Sequence, residues 1–153
     1  FNYFGQPWLT QKWVRDVIEE VYSDNDPQHG YSGDEDQGLM GALSVIMKMG
    51  IFEMKGGADI DPTYDLSSPI FDQIIIHLDK DYYPGGRFTI STKNNNPKNK
   101  YIQSVKLNGT PLNQSWFHHK DLVKGGALEY VLGEKPNYEW ATAEELLPAS
   151  MSD

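Results

Sequence analysis

Residues 30–49 read GYSGDEDQGLMGALSVIMKM. The second half of this stretch, 39–49, is almost entirely apolar, and helical spacing leaves it hardly any polar face. Such a pattern predicts a helix that is enclosed by other structure on all sides. The first half places three adjacent carboxylates, those of Asp34, Glu35 and Asp36, directly before that helix.

The acidic cluster is the strongest candidate for chemistry. Adjacent carboxylates repel each other, and one that is drawn toward an apolar helix must be compensated by a proton, a cation or hydrogen bonds. The positive end of a helix favours the ionised form, so Asp36 is predicted to be an anion at neutral pH and to suit a base better than an acid. The alternative is that Asp34 or Asp36 caps the helix while the other carboxylates face water.

A calcium-binding loop is a second interpretation of the same region. Oxygen-bearing side chains follow the spacing of an EF-hand loop at Asp24, Asp26, Gln28, Ser32 and Glu35. However, His29 occupies the position at which such a loop requires glycine. A plain solvated turn is the simpler explanation of this stretch.

Residues 9–22 predict an amphipathic helix, with Thr10 as a plausible cap. The charged side chains of this helix, which are expected to face solvent, are Lys12, Arg15, Asp16, Glu19 and Glu20. One amphipathic helix beside one enclosed helix is typical of the outer and inner rings of a helical barrel, although any larger helical core gives the same pattern.

The periodicity changes after Gly50, and short β-prone runs separated by turn formers follow. Asn108-Gly109 is a tight-turn signal. The fold class predicted from this order is α+β: a helical part over 1–55, an antiparallel, sandwich-like β lobe over 56–140 and a tail over 141–153 that forms a short helix.

Composition excludes several classes of partner. Lys and Arg number 13 against 22 Asp and Glu, which gives a net charge of -9 and argues against nucleic acid. No apolar run approaches the roughly 20 residues that cross a bilayer.

His118-His119 with Asp121 is a weak metal candidate, because adjacent side chains diverge on regular structure. Trp8 lies in an aromatic cluster that either stacks on a sugar or belongs to the core.

Ordered motifs over about 1–137 resemble glycoside hydrolase family 92. The matching stretches are FNYFGQPWLTQ (1–11), GYSGDEDQGLM (30–40), YDLSSPIFD (64–72) and YIQSVKLNG (101–109), the last followed by Leu112-Asn113 and Ser115-Trp116. The resemblance implies the C-terminal part of a calcium-dependent, inverting, exo-acting alpha-mannosidase, in which an (α/α)6 barrel packs on β-sandwich structure.

The resemblance also implies roles for particular residues. The family's catalytic base aspartate corresponds to Asp36, and Asp34 helps to hold the water. Glu35 is the alternative to these two residues and is assigned, with Trp8, to substrate binding. The general acid and most calcium ligands of the family correspond to positions upstream of Phe1. The implied partners are mannose-containing glycans, with α-1,2-linked termini as the expected type, and the remainder of the same polypeptide.

Two further expectations follow from the resemblance: export to a periplasm, cell surface or medium, and inactivity of this piece on its own. A noncatalytic carbohydrate-binding or assembly module is the alternative function, with the β lobe and its aromatic side chains as the binding surface. A catalytically dead relative of the enzymes is a third possibility.

Overall fold

A computed structural model describes residues 1–23, 28 and 38–150. Within these residues a helical N-terminal part precedes a part rich in strands, which confirms the α+β class. The helices are α1 (Pro7–Val21), α2 (Leu39–Met49) and α3 (His119–Val123). The strands are β1 (Ile51–Phe52), β2 (Thr63–Leu66), β3 (Gln73–His77), β4 (Arg87–Lys93), β5 (Tyr101–Leu107), β6 (Thr110–Pro111), β7 (Trp116–His118) and β8 (Gly126–Gly133).

Both predicted helices form. The bounds of α2 agree with the prediction, whereas α1 begins earlier than its apolar pattern, at Pro7, with Gln6 as N-cap. Proline suits the first helical position because its φ is already helical and its missing N–H has no partner to lose there. The prediction of Thr10 as cap is therefore wrong, since Thr10 lies inside the helix.

The charged stripe of α1 does not face solvent throughout. Arg15 is only 4% exposed, whereas the apolar Trp13 is 51% exposed. The helix turns Gln11 and Arg15 toward the strands: Gln11 Oε1 accepts a hydrogen bond from Ile102 N at 2.9 Å, and Arg15 Nη1 donates to Pro69 O at 2.9 Å. Polar side chains can be buried when they make hydrogen bonds of this kind to the backbone. The prediction that Arg15 faces solvent is therefore wrong.

The strands form two sheets. One has the order β1-β2-β7 and the other the order β3-β4-β8-β5-β6. All pairs are antiparallel except β4 and β8, which run parallel in the middle of the larger sheet. Along the chain, β5, β6, β7 and α3 separate β4 from β8, and β8 then lies between β4 and β5 in the sheet. No local turn signal could therefore predict the pairing of β4 with β8.

The predicted turn at Asn108-Gly109 is confirmed. Both residues have positive φ, 52° and 80°, and the turn joins β5 to β6 with Leu107 opposite Thr110. The side chain of Asn108 also accepts a hydrogen bond from Ala127 N at 2.8 Å, which ties the turn to β8. The turn therefore fixes both the hairpin and the start of its neighbouring strand.

The main core lies between the two sheets. The rings of Phe88 from β4 and Phe117 from β7 stack with centroids 6.0 Å apart, so the sheets meet directly. Other side chains with no exposed surface in this core are Leu66, Ile90, Leu128 and Tyr130. A smaller core around Ile18, Tyr22 and Met47 joins α1 to α2.

The predicted boundary after residue 55 stays a prediction. β1, which precedes it, pairs with β2, which follows it. The predicted short helix in the tail corresponds to a 3₁₀ turn at Glu144–Leu146. In the described ranges, no helix has both the length and the apolar character required to cross a bilayer.

Candidate active site

The candidate site is built around the N-terminal end of α2. The helix begins at Leu39, and its N-cap is Gly38, whose φ of 82° favours glycine. Asp36 therefore precedes the N-cap by two positions in the sequence. Asp34, Glu35 and Asp36 lie outside the described residues, so their assignment as catalytic and substrate-binding residues stays a prediction.

The opposite end of α2 is anchored on the strands. Gly50 caps it with a φ of 77°, and Gly50 O accepts hydrogen bonds from Ser67 N at 2.9 Å and from Tyr130 Oη at 3.3 Å. A Cβ atom at Gly50 would lie 2.7 Å from Pro69 N, closer than real contacts allow. The β core thus fixes the helix that directly follows the acidic cluster in sequence.

Asp65 is a buried carboxylate that sequence reasoning missed. It is 7% exposed, on β2, and its Oδ1 accepts a hydrogen bond from Asn2 Nδ2 at 3.0 Å. The same amide lies within 3.2 Å of Leu66 O and 3.4 Å of Ser115 O, so it joins the N-terminal segment to two strands. Burial raises the pKa of Asp65, and the hydrogen bond from Asn2 opposes that rise. Because β2 is only four residues long and also contains Thr63 and Tyr64, no sequence pattern marked Asp65 as buried.

Asp65 and Asn2 lie at a cavity of about 260 Å³ between the helices and the smaller sheet. Most of its wall is apolar, with Leu43 and Met47 of α2 among the lining residues. Asn2 Oδ1 is buried and has no hydrogen-bond partner in the described part of the chain. The cavity therefore combines an apolar wall with a small number of polar atoms.

The predicted histidine pair has local partners. His118 Nδ1 lies 3.1 Å from Asp61 Oδ2, although without hydrogen-bond geometry, and His119 Nδ1 lies 2.9 Å from Tyr64 Oη. Lys120 Nζ, at 2.7 Å from the same Asp61 oxygen, is the main reason that the pKa of Asp61 is lowered.

A metal site is not formed by the described residues: across 1–23, 28 and 38–150, no three His, Cys, Asp or Glu side chains are grouped to hold an ion. These residues do not fit a calcium site of that kind. Of the EF-hand-like loop, only Gln28 falls among the described positions.

Trp8 packs on the C-terminal segment. Its ring meets that of Tyr138 edge to face, with centroids 5.0 Å apart and planes at 78°. Edge-to-face packing of this kind stabilises a partly buried aromatic pair. The assignment of Trp8 to substrate binding stays a prediction.

The exposed side of α2 is apolar, and α1 adds one exposed aromatic ring among charged side chains. Leu39 and Val45 of α2 are 62% and 57% exposed, and Trp13 of α1 is exposed as well. The prediction that α2 is enclosed on all sides does not hold within this chain. An apolar helix face of this kind needs further protein to cover it.

Comparisons with known proteins identify the family. The model of the glycosyl hydrolase family 92 catalytic domain matches residues 1–134. An uncharacterized secreted glycosidase of Arthroderma benhamiae is 31% identical over 153 residues, and the match covers 99% of this chain and 19% of that protein.

Solved structures agree with that match. A family GH92 alpha-mannosidase from Bacteroides thetaiotaomicron superposes with a TM-score of 0.86 at 26% identity, over 98% of this chain and 19% of that one. A family GH92 inverting mannosidase from the same organism gives 0.85 at 33% identity, over 99% and 19% of the two chains. The chain spans about a fifth of the length of these relatives. This chain belongs to glycosyl hydrolase family 92 and is a part of that family's catalytic domain.

Proposed function

We propose that the polypeptide containing this chain is an inverting, exo-acting alpha-mannosidase that removes terminal mannose, from α-1,2-type linkages, from glycans. The observation that carries the proposal is the family match, which runs through the acidic cluster and the start of α2. Solved relatives whose names include alpha-mannosidase and inverting mannosidase support the substrate class and the stereochemistry. This chain would supply the base half of the reaction.

The base is assigned to Asp36, with Asp34 as a second carboxylate that holds the attacking water. An inverting glycosidase separates its acid and its base by roughly 6.5–9.5 Å so that a water fits between the base and the sugar. The carboxylate removes a proton from this water as the oxygen attacks the anomeric carbon, while the acid protonates the departing oxygen. The positive end of α2, which begins at Leu39, favours the anionic form that a base needs.

Glu35 and Trp8 are assigned to substrate contacts. The general acid, and calcium with most of its ligands, are proposed to belong to other parts of the same polypeptide. Calcium when bound would engage the hydroxyl groups of mannose. Chelation is accordingly expected to abolish turnover by the full-length protein and calcium to restore it. Retention of full activity in a chelator would remove calcium from the proposal.

Secretion or placement at a cell surface is proposed with the activity, on the ground that one relative is named a secreted glycosidase. Cell fractionation checks it, and recovery of the protein in the cytoplasm alone would contradict it.

The stereochemical course provides the main test of the reaction. Proton NMR of the full-length protein acting on an α-1,2-linked mannobiose is expected to show β-mannose first, before mutarotation, because inversion reverses the anomeric centre. If α-mannose appears first, the enzyme retains configuration and Asp36 is not a water-activating base. The absence of any hydrolysis, together with saturable glycan binding, would favour the noncatalytic binding module.

The isolated chain is proposed to be inactive because it would hold the base without the acid. Addition of the separately produced chain to mannobiose is expected to release no mannose under conditions in which the full-length protein turns over.

A further inference from the structure

A second cavity, of about 560 Å³, lies beside the C-terminal end of α2. Side chains from α1, from α2, from the segment after β2 and from the loop between β4 and β5 line it. The charged and amide side chains among them are Arg15, Glu19, Lys48, Asp72, Asn95 and Asn96. Lys48 is nine residues beyond Leu39, roughly 14 Å along the helix axis. The cavity is thus beside the C-terminal end of α2, whereas the acidic cluster precedes the N-terminal end of this helix in the sequence.

Arg15 is the buried charge of this cavity. Its residue surface is 4% exposed, and its Nη1 donates to Pro69 O at 2.9 Å and approaches Ser68 Oγ at 3.4 Å. Its Nε is buried and has no hydrogen-bond partner among the described residues. Burial lowers the pKa of Arg15, as expected for a cation that lacks a paired carboxylate, with Glu19 opposing that effect. An anionic acceptor that reaches Nε would both accept the hydrogen bond from this N–H group and compensate the positive charge of the guanidinium.

The carboxylates that line the cavity already have other partners. Glu19 Oε2 accepts a hydrogen bond from Lys100 Nζ at 2.8 Å, and Asp72 Oδ1 accepts one from Asn95 Nδ2 at 3.1 Å. The guanidinium of Arg15 is therefore left without a carboxylate at hydrogen-bond distance in the described residues, which is an incomplete arrangement for a buried cation.

The charges that line the cavity sum to zero, from Arg15 and Lys48 against Glu19 and Asp72. The two carboxylates repel a monoanion that approaches the guanidinium only weakly. They repel a dianion such as phosphate more strongly, because the Coulomb energy grows with the ligand's charge. Asn95 Nδ2 already donates to Ile70 O at 2.8 Å, and Asn96 Oδ1 accepts from Lys98 N at 2.9 Å. The amide oxygen of Asn95 is therefore the group that this pair offers to a ligand hydroxyl. A volume of this size accepts a molecule as large as a monosaccharide.

We propose that this cavity binds a small hydroxylated carboxylate of the size of a sugar acid, with the carboxylate on the guanidinium of Arg15. The site does not depend on the catalytic assignment.

The probe is sodium D-glucuronate, and D-glucose is the matched neutral sugar. Isothermal titration calorimetry on the full-length protein is expected to show saturable 1:1 binding of glucuronate and none of glucose at the same concentration. Arg15→Gln is expected to weaken glucuronate binding at least tenfold. Arg87→Gln, at the exposed start of β4, is the matched control and is expected to leave it unchanged.

Lys48→Gln keeps the test decisive if Arg15→Gln does not fold, because it removes the second cation and is expected to weaken binding severalfold. Three results would overturn the site: no saturable glucuronate binding, equal binding of glucose, or full affinity in both cavity variants. Turnover of mannobiose by the same proteins, measured in parallel, separates this outcome from failure of the catalytic proposal, since glucuronate binding and mannobiose turnover are independent readouts.

Discussion

Single buried polar side chains join the helices to the strands. Asn2, Gln11 and Arg15 each place a side chain against backbone carbonyls or amides of the β part. Their hydrogen bonds offset the loss of hydration, and removal of one partner would leave the other unsatisfied in the interior. Sequence patterns assign such residues to the surface because polar side chains are usually solvated there, so none of the three was predicted.

Asp65 gives a pH-dependent prediction. Burial raises its pKa above the ordinary value of 3.8, so the folded protein binds the proton more tightly than the unfolded chain. The stability associated with this group is complete below that value and is lost as the pH rises through the higher pKa of the folded state. The substitution Asp65→Asn removes this pH-dependent loss of stability, because an amide does not ionise. The amide oxygen of the new side chain can still accept the hydrogen bond from Asn2.

The thermal midpoint of full-length Asp65→Asn, relative to the wild type, is therefore expected to rise from pH 4 to pH 7. Asp81→Asn, at an exposed turn, is the control for the substitution itself. A difference between Asp65→Asn and wild type that stays constant or shrinks with pH would show that the carboxyl is not penalised by burial.

At the scale of elements, glycines explain why α2 could be predicted to the residue. Gly38 and Gly50 stand on either side of an unbroken apolar run, and both have the positive φ that glycine adopts readily. The start of α1 was missed because its first turn is set by Pro7 and precedes the apolar pattern. β1, β2 and β7 were missed because strands of two to four residues carry no usable periodicity.

Gly50→Ala tests how the β core holds α2. The new Cβ would combine a strained positive φ with a contact 2.7 Å from Pro69 N, and we expect a loss of about 2–4 kcal/mol in the free energy of unfolding. Gly56→Ala is the matched control: its φ is 63° and a Cβ there meets nothing within 4 Å, so about 1 kcal/mol is expected. Equal losses in chemical denaturation would mean that the contact with Pro69 is unimportant.

At the scale of the molecule, this chain is a part of a larger catalytic domain, and its surface agrees with that. Relatives are about five times longer, and α2 presents the apolar side chains of Leu39 and Val45 outward. We infer that the remainder of the same polypeptide covers this face. The apolar composition of α2 predicted a helix that is enclosed on all sides. The protein segments that would cover its outward side belong, on this inference, to the remainder of the polypeptide.

Val45→Asp tests that interface. Val45 is 57% exposed here, and a charge there would be buried without a partner if the rest of the polypeptide packs on it, at a cost of several kcal/mol. The full-length variant is expected to show a markedly lower soluble yield and thermal midpoint. Tyr82→Asp, at a side chain that is 80% exposed in a turn, is the control and should change stability by less than about 0.5 kcal/mol. If the two variants have the same soluble yield and thermal midpoint, the outward face of α2 is not covered in the full-length protein.

The catalytic role of the acidic cluster stays a prediction from the sequence, because the cluster lies outside the described residues. Three adjacent acids before an apolar helix indicate a site, and the resemblance selects Asp36 among them, yet the described structure reaches only Gly38. The start of α2 supports an anionic group near its positive end. Which carboxylate meets the sugar depends on parts of the domain that the chain's own sequence pattern does not encode.

Turnover by full-length Asp36→Asn on α-1,2-linked mannobiose is the most direct test that this chain supplies the catalytic base. The amide keeps the size of the side chain but cannot take a proton, so kcat is expected to fall about 100- to 10,000-fold with a similar KM. Asp81→Asn, the exposed control, should keep wild-type kcat. Wild-type kcat in Asp36→Asn would contradict the assignment of this residue as the group that activates water.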